Sequence, residues 1–102
     1  MKIVDAKEFN EIRSNGNVVV DFYADWCGPC KMLGPILEAV SENYPDVNFV
    51  KVNVDDNEEL AAEFGIMSIP SVFMLKDGEI VNEFKGVQQE KTLKEIFDKT
   101  FR

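Results

Sequence analysis

Val18-Val19-Val20-Asp21-Phe22-Tyr23-Ala24-Asp25-Trp26-Cys27-Gly28-Pro29-Cys30-Lys31 changes character halfway along. Val18 to Tyr23 are nearly all β-formers, and so continuous a run reads as a central strand buried on both faces. Beyond Cys30 the apolar residues Met32, Leu33, Ile36, Leu37 and Val40 recur at helical spacing. Pro35 falls inside that stretch and predicts a kink. A strand that feeds into a helix is half of a βαβ unit. Cys27 and Cys30, the only cysteines of the chain, sit at the junction.

Toward the amino terminus, Ile3-Val4 reads as a short strand. Asp5 has the position of a helix N-cap, with Glu8 three residues later. Phe9 and Ile12 give that helix a buried stripe, and Asn15-Gly16-Asn17 ends it. In the other direction, Tyr44-Pro45-Asp46 breaks the long helix before a second central strand, Val47 to Val54. A short helix around Leu60, Ala61 and Phe64 stops at Gly65. Ser71 to Leu75 is a further strand, Asp77-Gly78 a hairpin turn, and Ile80 to Phe84 the antiparallel return. Leu93, Ile96, Phe97 and Phe101 mark a closing amphipathic helix.

The order β-α-β-α-β-α-β-β-α predicts an α/β fold. Its mixed five-stranded sheet is flanked by four helices on both faces, with parallel pairing through right-handed crossovers and a hairpin at the end. Residues 1–102 form one domain, since a chain of this length has room for one modest core. The cysteine pair then lies at the carboxyl end of a central strand, where open α/β sheets keep their sites.

The formal net charge is −8. That excludes non-specific binding to nucleic acid or to an anionic membrane, which needs a basic footprint. The apolar runs are too short to cross a bilayer, and no charged-then-apolar leader is evident. Two cysteines are too few for a secreted disulfide scaffold, so a reducing, cytoplasmic setting fits. Nothing in the sequence demands more than a monomer.

Two thiols at i and i+3 of a helix start can close a disulfide without moving the fold. The first-turn amides lack intrahelical partners and the helix dipole is positive there, so a thiolate at Cys27 is stabilised. Pro29 fits a first turn and stiffens it. A structural zinc site would need four ligands, and a chain with two cysteines and no histidine cannot supply a Cys/His set. Asp21 interrupts an apolar strand six residues before Cys27. Buried there, its carboxyl should have a raised pKa and could deprotonate Cys30; at a sheet edge it would be only a solvated charge. Lys51 interrupts the second central strand in the same way. Its ammonium either approaches Asp21 or snorkels to the surface. Ile69-Pro70 must stand at a strand start or edge, because proline donates nothing to a ladder.

Together these residues resemble the thioredoxin family. The likeness runs from Val20 to Lys31, through Trp26-Cys27-Gly28-Pro29-Cys30-Lys31, and on to Pro35, Lys51, Ile69-Pro70, Gly78 and Gly86. The resemblance implies a thioredoxin fold and a protein-disulfide reductase that works by thiol–disulfide exchange. Cys27 would be the exposed nucleophile, Cys30 the buried resolving thiol, Asp21 the buried acid–base group and Lys51 its modulator. Pro70 would be a cis-proline beside Ile69, whose backbone pairs with an extended substrate. Trp26, Gly28, Pro29, Gly65, Ile66 and Gly86 would line the docking groove. No bound cofactor or metal is implied. Electrons would come from a thioredoxin reductase and go to disulfide-containing target proteins. Tyr23 stands where some members have a second tryptophan, and Ser71 where threonine is common. The acidic residues Asp55, Asp56, Glu58, Glu59 and Glu63 read as a solvated helix face or as a bias on partner choice. A binding module on the same fold, or a reductase dedicated to one partner, is the alternative reading.

Overall fold

A computed structural model describes residues 1–102. Strand β2 (Asn17–Tyr23) lies at the centre of a five-stranded sheet of order β1-β3-β2-β4-β5. On one side it pairs in parallel with β3 (Val47–Asn53), whose far edge carries the two-residue β1 (Lys2–Ile3). On the other side it pairs antiparallel with β4 (Ser71–Lys76), which turns through Asp77-Gly78 into β5 (Glu79–Lys85). Both turn residues have positive φ, 50° and 89°, as a tight hairpin turn between twisted strands requires. β1 begins one residue earlier than Ile3-Val4 suggests, but the Val4 amide still donates to the Lys51 carbonyl at 2.9 Å.

The alternation of strands and helices predicts one antiparallel pair, the closing hairpin. In fact β4 is antiparallel to β2 as well. The reason lies in the connection. The intervening helix α3 (Glu58–Glu63) has six residues, about 9 Å at helical rise, whereas a seven-residue strand runs about 23 Å. The chain therefore never returns to the start of β3. It re-enters with Ser71 beside Phe22, at the carboxyl end of β2, and runs back down it.

Alternation along β2 sends its side chains to two separate cores. Val18, Val20 and Phe22 meet Phe9 of α1 (Ala6–Ile12) and Leu60 of α3. Val19 meets Leu33, Leu37 and Val40 of α2 (Gly28–Ser41), with Leu93 and Phe97 of α4 (Glu90–Phe101). Asp21 shares the Val19 side of the strand, so its carboxyl goes under α2. The helix continues through Pro35 to Ser41. Met32 follows the apolar spacing but is exposed, one position off the buried stripe that Cys30, Leu33 and Leu37 form. Asp5 caps α1, accepting the Glu8 amide at 2.8 Å.

Phe97 is fully buried and stands edge-on to Tyr44 and Phe49, with ring centres 5.6 and 5.4 Å away. Phe101 lies only partly buried at the margin of the same core. Phe97→Ala should cost about 3–5 kcal/mol of stability, and Phe101→Ala clearly less. Equal losses in urea unfolding midpoints would contradict this placement of the core.

Candidate active site at the carboxyl end of β2

Ala24, Asp25 and Trp26 carry the chain from the end of β2 to the amino terminus of α2. Cys27 is the N-cap of that helix, with Gly28 and Pro29 as its first residues. The Cys27 backbone is extended, so its side chain turns back over the first turn, and its sulfur accepts the Cys30 amide at 3.2 Å. Serine and aspartate oxygens cap helices by the same geometry. Cys27 and Cys30 are joined as a disulfide, with Cα atoms 5.3 Å apart. Cys27 Sγ also lies 3.8 Å from the carbonyl oxygen of Ile69.

Neither cysteine is exposed: 4% of Cys27 and 5% of Cys30 is open to solvent. The expected contrast between an exposed and a buried sulfur is therefore absent in the disulfide form. Ala24 and Tyr23 pack against the pair, with Val54 and Ile69 alongside. Cys27 is thus packed against the loop that follows α3.

The Ile69–Pro70 peptide bond is cis, and Pro70 is buried immediately before β4. The Pro70 carbonyl accepts the Gly86 amide at 2.9 Å, which ties the end of β5 to this loop. Trp26 projects beside it, 70% exposed, and its indole N–H donates to Asp55 Oδ2 at 2.8 Å. Between Trp26 and the loop runs a groove of about 190 Å³, lined by Trp26, Val54, Ala61, Ile66, Met67, Ser68 and Ile69.

Of the residues expected at this groove, Trp26, Ile66 and Ile69 line it. Gly28 and Pro29 lie on the adjoining first turn of α2. Gly65 and Gly86 do not line it. Gly65, at φ 63°, ends α3 and turns the chain toward Ile66; Gly86, at φ 79°, binds the Pro70 carbonyl from β5. Met67 and Asp55 escaped the sequence reading. Met67 is 92% exposed on the groove rim, and a lone methionine in a loop carries no pattern that could reveal it. Asp55 stood among the acidic residues, but a hydrogen bond across 29 residues leaves no local trace.

Asp21 is completely buried, and neither carboxylate oxygen has a hydrogen-bond partner. Removal from water penalises the charged form, and this pushes its pKa up to about 6. The Lys51 ammonium acts in the opposite sense and limits the rise. Asp21 and Lys51 are register partners on adjacent parallel strands, so both side chains leave the sheet on the α2 side. Lys51 itself is half-buried and borders the same small cavity as Cys30.

This arrangement matches what comparison with known proteins returns. A sequence model of the family described as Thioredoxin covers residues 1–99. A thioredoxin of Bacillus subtilis is 43% identical over 102 residues, spanning 97% of this chain and 98% of its own. One from Staphylococcus saprophyticus is 42% identical over 100 residues, covering 97% and 95%. The solved structure of Plasmodium falciparum thioredoxin superposes with a TM-score of 0.90 at 38% identity, covering 97% of this chain and 98% of that one. A capped dithiol at a strand–helix junction, together with agreement over the whole length in sequence and fold, makes this chain a member of the thioredoxin family of protein-disulfide oxidoreductases.

Proposed function

We propose that the chain is a general protein-disulfide reductase in which Cys27 attacks and Cys30 resolves. The observation that carries this reading is the capping of α2 by the Cys27 sulfur. A thiolate there keeps the Cys30 amide as a donor and gains the positive end of the helix dipole, both of which favour the ionised nucleophile. The Cys27 thiolate attacks one sulfur of a target disulfide. A mixed disulfide forms, and the other target sulfur leaves as a thiolate. Cys30 then gives up its proton and attacks Cys27 Sγ, displacing the second target sulfur. Two electrons pass from the dithiol to the target, which ends as two thiols, and the Cys27–Cys30 disulfide remains.

Asp21 is the proton acceptor for Cys30 in this scheme, and Lys51 tunes it. A pKa near 6 suits that work, because the carboxylate is mostly ionised at neutral pH yet basic enough to take a proton. Trp26, Ile66, Ile69 and Met67 line the docking groove, Gly28 and Pro29 adjoin it on the first turn of α2, and Gly65, Pro70 and Gly86 set the backbone that frames it. An extended target segment pairs with the backbone at Ile69, which brings its disulfide to Cys27. Targets are disulfide-containing proteins, and a thioredoxin reductase returns two electrons and two protons to the Cys27–Cys30 disulfide. The chain works as one domain, residues 1–102, as a monomer and in the cytoplasm.

The first test is reduction of insulin disulfides with dithiothreitol as electron source. Wild type should accelerate the reaction and Cys27→Ser should not; a folded wild-type protein that leaves the uncatalysed rate unchanged overturns the proposal. With Cys30→Ser, target proteins should accumulate as mixed disulfides on Cys27, visible as adducts on non-reducing gels. Absence of adducts would refute the division of roles.

Asp21 supplies a further prediction. Its folded pKa, about 6, exceeds the ordinary value of 3.8, so the folded state holds the proton longer than the unfolded state. Stability is unaffected below the lower value and falls as pH rises from there through the higher one. The loss is about 3 kcal/mol at pH 8. Asp21→Asn removes this fall and slows turnover at neutral pH. The check is denaturant unfolding of both proteins at pH 4 and pH 8. The same pH dependence in the two proteins would mean that Asp21 is not the buried acid.

A further inference from the structure

Tyr23 is the last residue of β2 and lies two positions beyond Asp21, on the same side of the strand. The Lys51 ammonium stands 4.3 Å from the centre of its ring. Asp21 is the register partner of Lys51, and Tyr23 pairs with Asn53, so the lysine stem leans one step along the sheet toward the strand ends. None of the five ion pairs of the protein includes Lys51. On its α2 side a Cβ placed on Gly34 would lie 3.8 Å from Nζ, so the helix backbone closes that direction without offering a charge. Two solvent-open cavities, of about 320 and 140 Å³, are both lined by Cys30, Lys31 and Lys51. The ammonium therefore has water-accessible space on two sides and, among charged or aromatic groups, the Tyr23 ring to hold it.

We propose that Tyr23 is a positioning residue for the exchange reaction: its aromatic face, in place of an ion pair, fixes the Lys51 ammonium beside Asp21 and Cys30. The inference rests on the reductase reading, since it assigns how that site is held. A lysine stem is flexible and its ammonium strongly hydrated, so with open space beside it the charge would swing outward. A ring face attracts the cation through its quadrupole, more strongly where water is partly excluded. Tyr23 keeps that quadrupole at working pH. Burial raises its phenol above the ordinary value, and the carboxylates of Asp25, Asp21 and Asp56 add to the rise.

The other charges around the ammonium are accounted for. Lys31 borders both cavities, and Asp25 borders the smaller one with Tyr23 and Ala24. Glu38 borders the larger one; the Met1 amino group engages it at 2.8 Å and is the main cause of its lowered pKa, with the Lys51 ammonium a lesser one. None of them takes the place of the ring.

The experiment follows the Asp21 carboxyl by carbon NMR through a pH titration of the full chain in its disulfide form, where no thiol titrates nearby. Tyr23→Leu should raise the Asp21 midpoint by about one pH unit, because an opposite charge nearby lowers a carboxyl by that order and the variant lets it move away. Tyr23→Phe keeps the ring and should leave the midpoint in place. In a Lys51→Gln background the Tyr23→Leu change should add nothing, which separates positioning from loss of packing. In the reduced protein the acid limb of the resolving step should shift upward with Tyr23→Leu and return with Tyr23→Phe. An unmoved midpoint in Tyr23→Leu, or an equal shift with Lys51 replaced, overturns the proposal. Should Tyr23→Leu fail to fold, wild type still decides. Ring currents at this distance displace the Lys51 ε-methylene protons upfield, and ordinary lysine shifts would refute the contact. If wild type reduced no disulfides, the reductase reading would fall, while the titration would still judge Tyr23 on its own.

Discussion

Strand β2 is bonded along both edges, to β3 and to β4, and the rest of the site depends on this double pairing. A strand held on both sides cannot slip by one residue without moving two ladders and exchanging two cores. Its carboxyl end is therefore a fixed point. From it the short segment Ala24 to Trp26 delivers Cys27 to the first turn of α2, whose buried residues Leu33, Leu37 and Val40 are seated on the same sheet. The antiparallel entry of β4 completes the arrangement. Ser71 pairs with Phe22, which brings Pro70 and Ile69 level with the cysteines. The cysteines and the Ile69–Pro70 turn are thus both carried on the ends of neighbouring strands of one sheet, β2 and β4, which suits a reaction that needs two sulfur atoms aligned.

The same strand bears the cost of function. Val19, Asp21 and Tyr23 share one side of β2, and only Asp21 brings a charge into it. Its oxygens are unpaired, which is rare for a buried carboxylate and destabilising at neutral pH. An apolar residue of similar size would make the core more stable and, in the proposed mechanism, leave Cys30 without a proton acceptor. Lys51 offsets part of the cost without removing it. A close ion pair would have driven the carboxyl pKa down, below the range useful to a thiol. A separation across two strands, with the ammonium drawn toward an aromatic ring, leaves the carboxyl at about 6.

Much of this was legible in the residues themselves. Period-two patterning placed each strand to within a residue, and helical patterning marked the apolar face of each helix though not its ends, because each element has one or two buried faces that composition must serve. The cysteine pair and Asp21 stood out as polar chemistry inside or beside apolar runs. The orientation of β4 did not, since it depends on how far the α3 connection travels and not on any residue within the strand. Exposure of the cysteines was misjudged for a related reason. Tyr23 and Ala24, Val54 and Ile69 pack against them from three parts of the chain, and a local reading sees one of these parts at a time. The positive φ angles of Gly65, at a helix end, and of Gly86, just past β5 beside Pro70, meet backbone demands that the sequence around them does not display.

The chemistry of the N-cap explains why a dithiol suits this junction better than any other place in the fold. An N-cap needs an acceptor for a first-turn amide, and in the disulfide form the Cys27 sulfur already fills that need, if weakly. In the proposed mechanism reduction turns that acceptor into a thiolate, to which the same amide would donate more strongly. On that mechanism one set of amides serves both states and favours the reduced nucleophile over the disulfide. A serine there would cap the helix as well but could not carry electrons. A cysteine elsewhere could carry electrons but would lack the dipole. At Cys27 the two requirements fall on one atom, and Cys30, one turn along, donates the amide and supplies the second sulfur.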